Sequence, residues 1–113
     1  MGKKMSDSTD VKQMVESVIG CKWSLAVLDM VHRGISRPGA MTRQQPGLST
    51  KVLNERLLKL TRFGILAKTA YPEIPPRVEY HFTPFGNGFI NILDAIETLQ
   101  QQVDATDNSD SPD

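Results

Sequence analysis

At 113 residues, 39% of them hydrophobic, the chain has room for one domain with a real core and little more. No apolar run approaches the roughly 18 residues of a membrane span, and MGKKMSDS lacks the apolar stretch of a secretory signal, so a cytoplasmic protein with no membrane partner is expected. One cysteine, Cys21, excludes an intramolecular disulfide and a cysteine-rich metal site, and the net charge of zero hides an uneven distribution.

Residues 20–83 hold ten Lys and Arg against four Asp and Glu, a net +6, whereas residues 84–113 hold six acids and no cation. A cationic middle with a segregated acidic end fits a nucleic-acid face. A solvated surface with a chance imbalance is the plainer reading. Met1-Gly2 with Ser6 loosely matches a myristoylation pattern, but nothing else supports an anchor.

Residues 1–9 are polar and expected to form a flexible N-terminus. From Asp10, the apolar positions Val11, Met14, Val15 and Val18 predict a helix to about Ile19, capped by Thr9 or Asp10 and broken at Gly20. Trp23 to about Arg33 is a second helix, apolar on most of its circumference and therefore central. In ISRPGAMTRQQPGL, Pro38 suits the first position of a short helix reaching about Gln45, and Pro46-Gly47 a tight turn.

Ser49 is a good N-cap, and Leu53, Leu57 and Leu60 recur at helical spacing behind it, with Gly64 past the last turn. Thr50, Lys51, Asn54, Glu55 and Leu58 fall largely on the opposite side. Short helix, turn, longer helix is the helix-turn-helix layout.

LAKTAY and VEYHF then read as strands, the second alternating Val78, Tyr80 and Phe82 with Glu79 and His81. The stiff PEIPPR loop between them makes a wing. Thr83-Pro84 is expected to start a last helix reaching about Val103, with Phe89, Ile92, Leu93, Ile96 and Leu99 exceeding what one domain contact uses. Residues 104–113, acidic and poor in apolar side chains, are expected to be a disordered tail. The fold class is mainly α with a small β-wing, a winged helix-turn-helix over 10–103 whose terminal helices, through Val11, Val15 and the last helix, make a dimer.

IGCKWSLAVL, PGLSTKVLNERLLKLTRFGIL and AYPEIPPRVEYHFTPFG resemble the HxlR-type winged-helix transcriptional regulators of bacteria and archaea over roughly residues 10–100. The resemblance implies homodimers on near-palindromic double-stranded operator DNA, with the helix at about 49–63 in the major groove. It places the wing, about 72–77, on the flanking backbone or minor groove. Two departures stand out. Many members carry a cysteine about ten residues before the Gly-Lys-Trp stretch, where this chain has Asp10. The helix before the turn usually begins Arg-Phe and continues Glu-Leu, whereas here it reads Arg37-Pro38-Gly39-Ala40-Met41.

Within that frame Ser49 to Arg56 would be the reading half of the helix. Lys51, Asn54 and Glu55 suit base edges or phosphates, and Thr50 a phosphate or a thymine methyl. Arg56 lies nearer the leucine seam, where an ion pair with Glu79 is an equal alternative. Pro76 and Arg77 on the wing, with Lys22 and Arg43, are phosphate candidates. Trp23 reads as core. Cys21, beside Lys22 at a helix start, is a redox candidate, although a packing role is the commoner one for such a residue.

Catalytic and cofactor readings find no support. His32 and His81 lie on different elements, no cluster has metal-ligand spacing, and no Gly-rich phosphate loop or nucleophile–base pair is legible. No residue pattern specifies a small-molecule effector. The alternative function is a winged helix used as a protein-interaction module without specific DNA binding.

Overall fold

The computed structural model describes residues 10–109, with side chains placed through residue 106. Its elements are α1 (Val11–Ile19), α2 (Lys22–His32), α3 (Pro38–Gln44), α4 (Thr50–Arg62), β1 (Leu66–Tyr71), β2 (Arg77–Phe82) and α5 (Asn87–Ser109). The expected flexible segment 1–9 lies outside the described residues.

Three helix starts have a local cause. The Asp10 carboxylate accepts from the Gln13 N–H at 3.2 Å, and the Ser49 hydroxyl accepts from the Val52 N–H at 3.1 Å, satisfying donors that the helix itself cannot. Pro38 opens α3, where its missing N–H costs nothing. Gly64 takes φ of +78° after α4, a left-handed conformation that favours a residue without Cβ, and the chain turns there into β1.

The core gathers around α2. Val27, Leu28 and Met30 from α2, Met41 from α3, Leu53, Leu57 and Leu60 from α4, and Ile65 and Leu66 are almost completely buried. Met14 and Val18 of α1 close one side and Phe89 of α5 another. Trp23 packs on the margin of this core, as its sequence context predicts.

The sheet is a two-stranded antiparallel ribbon in register from Leu66 opposite Phe82 to Tyr71 opposite Arg77. Tyr80 and Phe82 pack towards the core, while Arg77, Glu79 and His81 alternate with them. The ribbon is fixed to the body by the Tyr80 N–H, which donates to the Ser36 carbonyl at 2.9 Å.

α5 differs from expectation at both ends. Thr83 caps the turn that leads into it, its carbonyl accepting from the Asn87 N–H at 2.9 Å. Its hydroxyl donates to the Gly64 carbonyl and accepts from the Gly86 N–H at 2.8 Å, while its own N–H donates to the Ile65 carbonyl at 3.0 Å. Thr83 is thereby held at the strand end, residues 84–86 form a turn, and the helix starts at Asn87. Gly86 is buried against β1, and a Cβ there would collide with the Ile65 carbonyl. At the other end the helix continues to Ser109, so residues 104–109 of the expected disordered tail are helical; residues 110–113 lie outside the described residues. Side-chain pairs one turn apart, Gln100 with Asp104 at 3.0 Å and Gln101 with Glu97 at 3.4 Å, support this last stretch.

Candidate nucleic-acid interface

α4 has two sides of opposite character. Leu53, Leu57 and Leu60 are buried, and on the outside Thr50, Lys51, Asn54, Glu55, Leu58 and Arg62 are exposed, with Ser49 exposed at the cap. Since 3.6 residues make a turn, Lys51, Asn54, Glu55 and Leu58 form one stripe along two turns. The stripe therefore carries an ammonium, an amide, a carboxylate and an isobutyl group side by side. Such a set can match hydrogen-bonding edges and an apolar group at once.

The flanks of α4 are fastened. The Lys59 ammonium donates to the Ser17 carbonyl of α1 at 3.1 Å, a long-range tie that amphipathic spacing does not reveal. Arg56 is largely withdrawn from solvent. Its guanidinium lies 3.7 Å from Glu55 and close enough to the Cys21 thiol to lower its pKa. The alternative of an Arg56–Glu79 ion pair is not what forms, because Arg56 is drawn to Cys21 and Glu55 while other cations hold Glu79.

Glu79 gathers the groups at the wing base. His81 lies 3.0 Å from its carboxylate, and Arg37 and Arg77 each lie 3.6 Å away. The His81 hydrogen bond, opposed by partial burial and reinforced by the charges of Arg77, His81 and Arg37, holds the Glu79 carboxyl below the usual carboxylate range. Arg37 is a participant that the sequence did not single out. Its only signal was its place just before Pro38.

Arg77 is a structural residue of the wing as much as a free cation. It pairs with Glu73 at 3.1 Å and its guanidinium lies 4.0 Å above the Tyr71 ring. The exposed tip is Glu73, Ile74, Pro75 and Pro76, with a cis peptide between Ile74 and Pro75. Arg43 is exposed on α3 and, with Arg37 and Arg77, lines a cleft of about 470 Å³ between α3 and the wing. Lys22 lies 4.7 Å from the Trp23 ring, exposed at the start of α2.

This arrangement of a capped helix, the short helix before it and a two-stranded wing has known counterparts. A family model described as HxlR-like helix-turn-helix matches residues 18–107. The chain belongs to the HxlR-like helix-turn-helix family. One of its relatives is the HTH-type transcriptional regulator sll1512 of Synechocystis, 41% identical over 87 residues, or 77% of this chain and 64% of that protein. The chain spans less than two thirds of the length of the first curated relatives it matches.

Two crystal structures described as transcriptional regulators of the MarR family share the fold. That from Enterococcus faecalis V583 is 26% identical, with a TM-score of 0.74 and 96% of each chain covered. That from Porphyromonas gingivalis W83 is 32% identical, with a TM-score of 0.69 and coverage of 88% of this chain and 97% of the other. The HxlR-like fold is thus a winged helix-turn-helix of transcriptional regulators, with α3 and α4 as its two helices and β1–β2 as its wing.

Of the residues expected at a dimer contact, Val11 and Leu99 are exposed and Val15, Ile92, Leu93 and Ile96 are half-buried. Phe89 is the exception: only 4% exposed, it belongs to the protomer's own core. Among the described residues, no helix is long and apolar enough to cross a membrane.

Proposed function

We propose that this protein is a sequence-specific DNA-binding transcriptional regulator, acting as a homodimer on a near-palindromic operator. α4 enters the major groove and the wing lies on the flanking backbone or minor groove. The observation that carries the reading is the exposed stripe Lys51, Asn54 and Glu55 on a helix whose opposite face and flanks are rigidly packed. Base reading needs this combination, because hydrogen-bonding side chains discriminate only when their backbone is held in place.

Lys51, Asn54 and Glu55 are assigned to base edges or adjacent phosphates, Ser49 and Thr50 to the backbone at the helix start, and Arg43, Lys22 and Pro76 to the flanks. Arg56 supports α4 from the side. Arg77 meets a phosphate only by exchanging Glu73 or Glu79 for it, so its first role is to shape the wing. The alternative of a protein-interaction module is disfavoured by the net +6 of residues 20–83.

A gel-shift titration on DNA upstream of the protein's own gene, against random DNA of equal length, tests the assignment. The wild type should form a specific complex, and Asn54→Ala should lose roughly 1–3 kcal/mol there with almost no change on random DNA. Equal affinity of the wild type for both DNAs at every salt concentration would overturn the proposal.

A further inference from the structure

The outer face of α4 carries one residue that neither the core nor the charge pattern explains. Leu58 is 51% exposed, one turn beyond Asn54 on the same stripe. It lines a groove of about 430 Å³ between α4 and the wing, together with Asn54, Thr61, Lys68 and Tyr80. The Thr61 hydroxyl is already committed to the Leu57 carbonyl at 2.7 Å. The groove therefore presents an isobutyl group from α4, with the Asn54 amide beside it and the exposed Lys68 ammonium on the wing side.

In the major groove of DNA the base edges offer hydrogen-bond donors, acceptors and a single kind of apolar group, the C5 methyl of thymine. An exposed leucine on a helix that reads this groove has that methyl as its one complementary base partner. A phosphate would leave Leu58 unmatched, and a cytosine or guanine edge would strand polar atoms against it. We propose that this groove is a thymine-reading subsite, in which Leu58 packs on the C5 methyl and Lys68 meets a phosphate of the same strand. The inference rests on the placement of α4 in the major groove and adds to it a particular base and an apolar reader.

The test replaces each operator thymine in turn by deoxyuridine, which lacks only the C5 methyl, in one half-site at a time. The wild type should lose about fourfold in affinity at one such position, the equivalent of ~0.8 kcal/mol for one methyl-sized group. Leu58→Ala should bind the thymine and deoxyuridine duplexes equally, and Leu58→Met, also long and apolar, should retain most of the discrimination. Thermal melting of both variants should match the wild type, since the side chain is largely exposed.

Lys68→Ala should keep the fourfold ratio while lowering the slope of log K on log salt by about 0.9 for each phosphate that is no longer neutralised. The subsite is overturned if no thymine is sensitive to the exchange, or if Leu58→Ala still discriminates. Specific binding by the wild type in that case leaves the proposed function standing. A wild type without any sequence preference would instead overturn the proposed function, and the subsite with it.

Discussion

The Cys21 thiol stands at the N-terminal end of α2 between two helices. Partial burial pushes its pKa up, but the hydroxyl and backbone N–H of Ser24, the Lys59 charge and the Arg56 guanidinium outweigh this and lower it from 9.0 to about 7. Ser24 is fully buried next to this site, and its hydroxyl has no hydrogen-bond partner among the described residues. Alkylation by iodoacetamide should accordingly half-titrate near pH 7, and Lys59→Met should move the midpoint upward.

The sign for stability follows from the same shift. The folded pKa lies below the unfolded one, so the contribution is complete above about pH 9, declines as the pH falls, and is lost below about 7. In chemical denaturation, the stability gap between wild type and Cys21→Ser should widen from pH 7 to 9. A gap independent of pH would contradict this account. From the sequence only Lys22 and the helix start could be seen beside Cys21. Arg56 and Lys59, more than thirty residues later, come to it through tertiary packing that no local spacing encodes.

α5 is patterned for packing along one side. Phe89, Ile92, Ile96, Leu99 and Val103 recur at alternating spacings of three and four, the seam of a helix made to pack against another helix. Phe89 is used inside the protomer, yet Leu99 and Val103 are 61% and 52% exposed. An exposed apolar stripe of this length is what the proposed dimer contact requires. Light scattering at micromolar concentration should give a dimer for the wild type and a monomer for Ile96→Asp combined with Leu99→Asp, with helical circular dichroism largely retained. A monomeric, folded wild type would remove α5 from the interface.

The elements themselves were largely legible, because their causes are local. Ser49 with the Leu53, Leu57 and Leu60 seam fixed α4, Pro38 marked the start of α3, and LAKTAY matched β1 residue for residue. The ends of α5 were not. Thr83 does cap the turn into α5, but its hydroxyl also donates to the Gly64 carbonyl, nineteen residues away in sequence, and the regular helix begins only at Asn87. The acidic composition of 104–109 suggested disorder, whereas the helix continues to Ser109 and Gln100 pairs with Asp104 one turn on. At the site, the exposed stripe was readable from periodicity. The capture of Arg77 by Glu73 and Tyr71, and the gathering of Arg37 at Glu79, required the folded wing.

For the molecule as a whole, the net +6 of residues 20–83 spans α2 to the wing, and the acids of residues 84–113 lie on or beyond α5. The charge division matches the proposed function, in which the cationic face meets DNA and the acidic, apolar-striped helix joins two copies. In the proposed function a two-fold dimer built on α5 would present two copies of α4 to successive major grooves ~34–36 Å apart. Hydroxyl-radical and methylation footprinting of the complex tests this arrangement. The account predicts two equivalent protected major-groove segments, about one helical turn apart between centres and related by a dyad, with protection in both abolished for Asn54→Ala at the same protein concentration. A single protected segment without a dyad, or protection that follows no sequence, would contradict it.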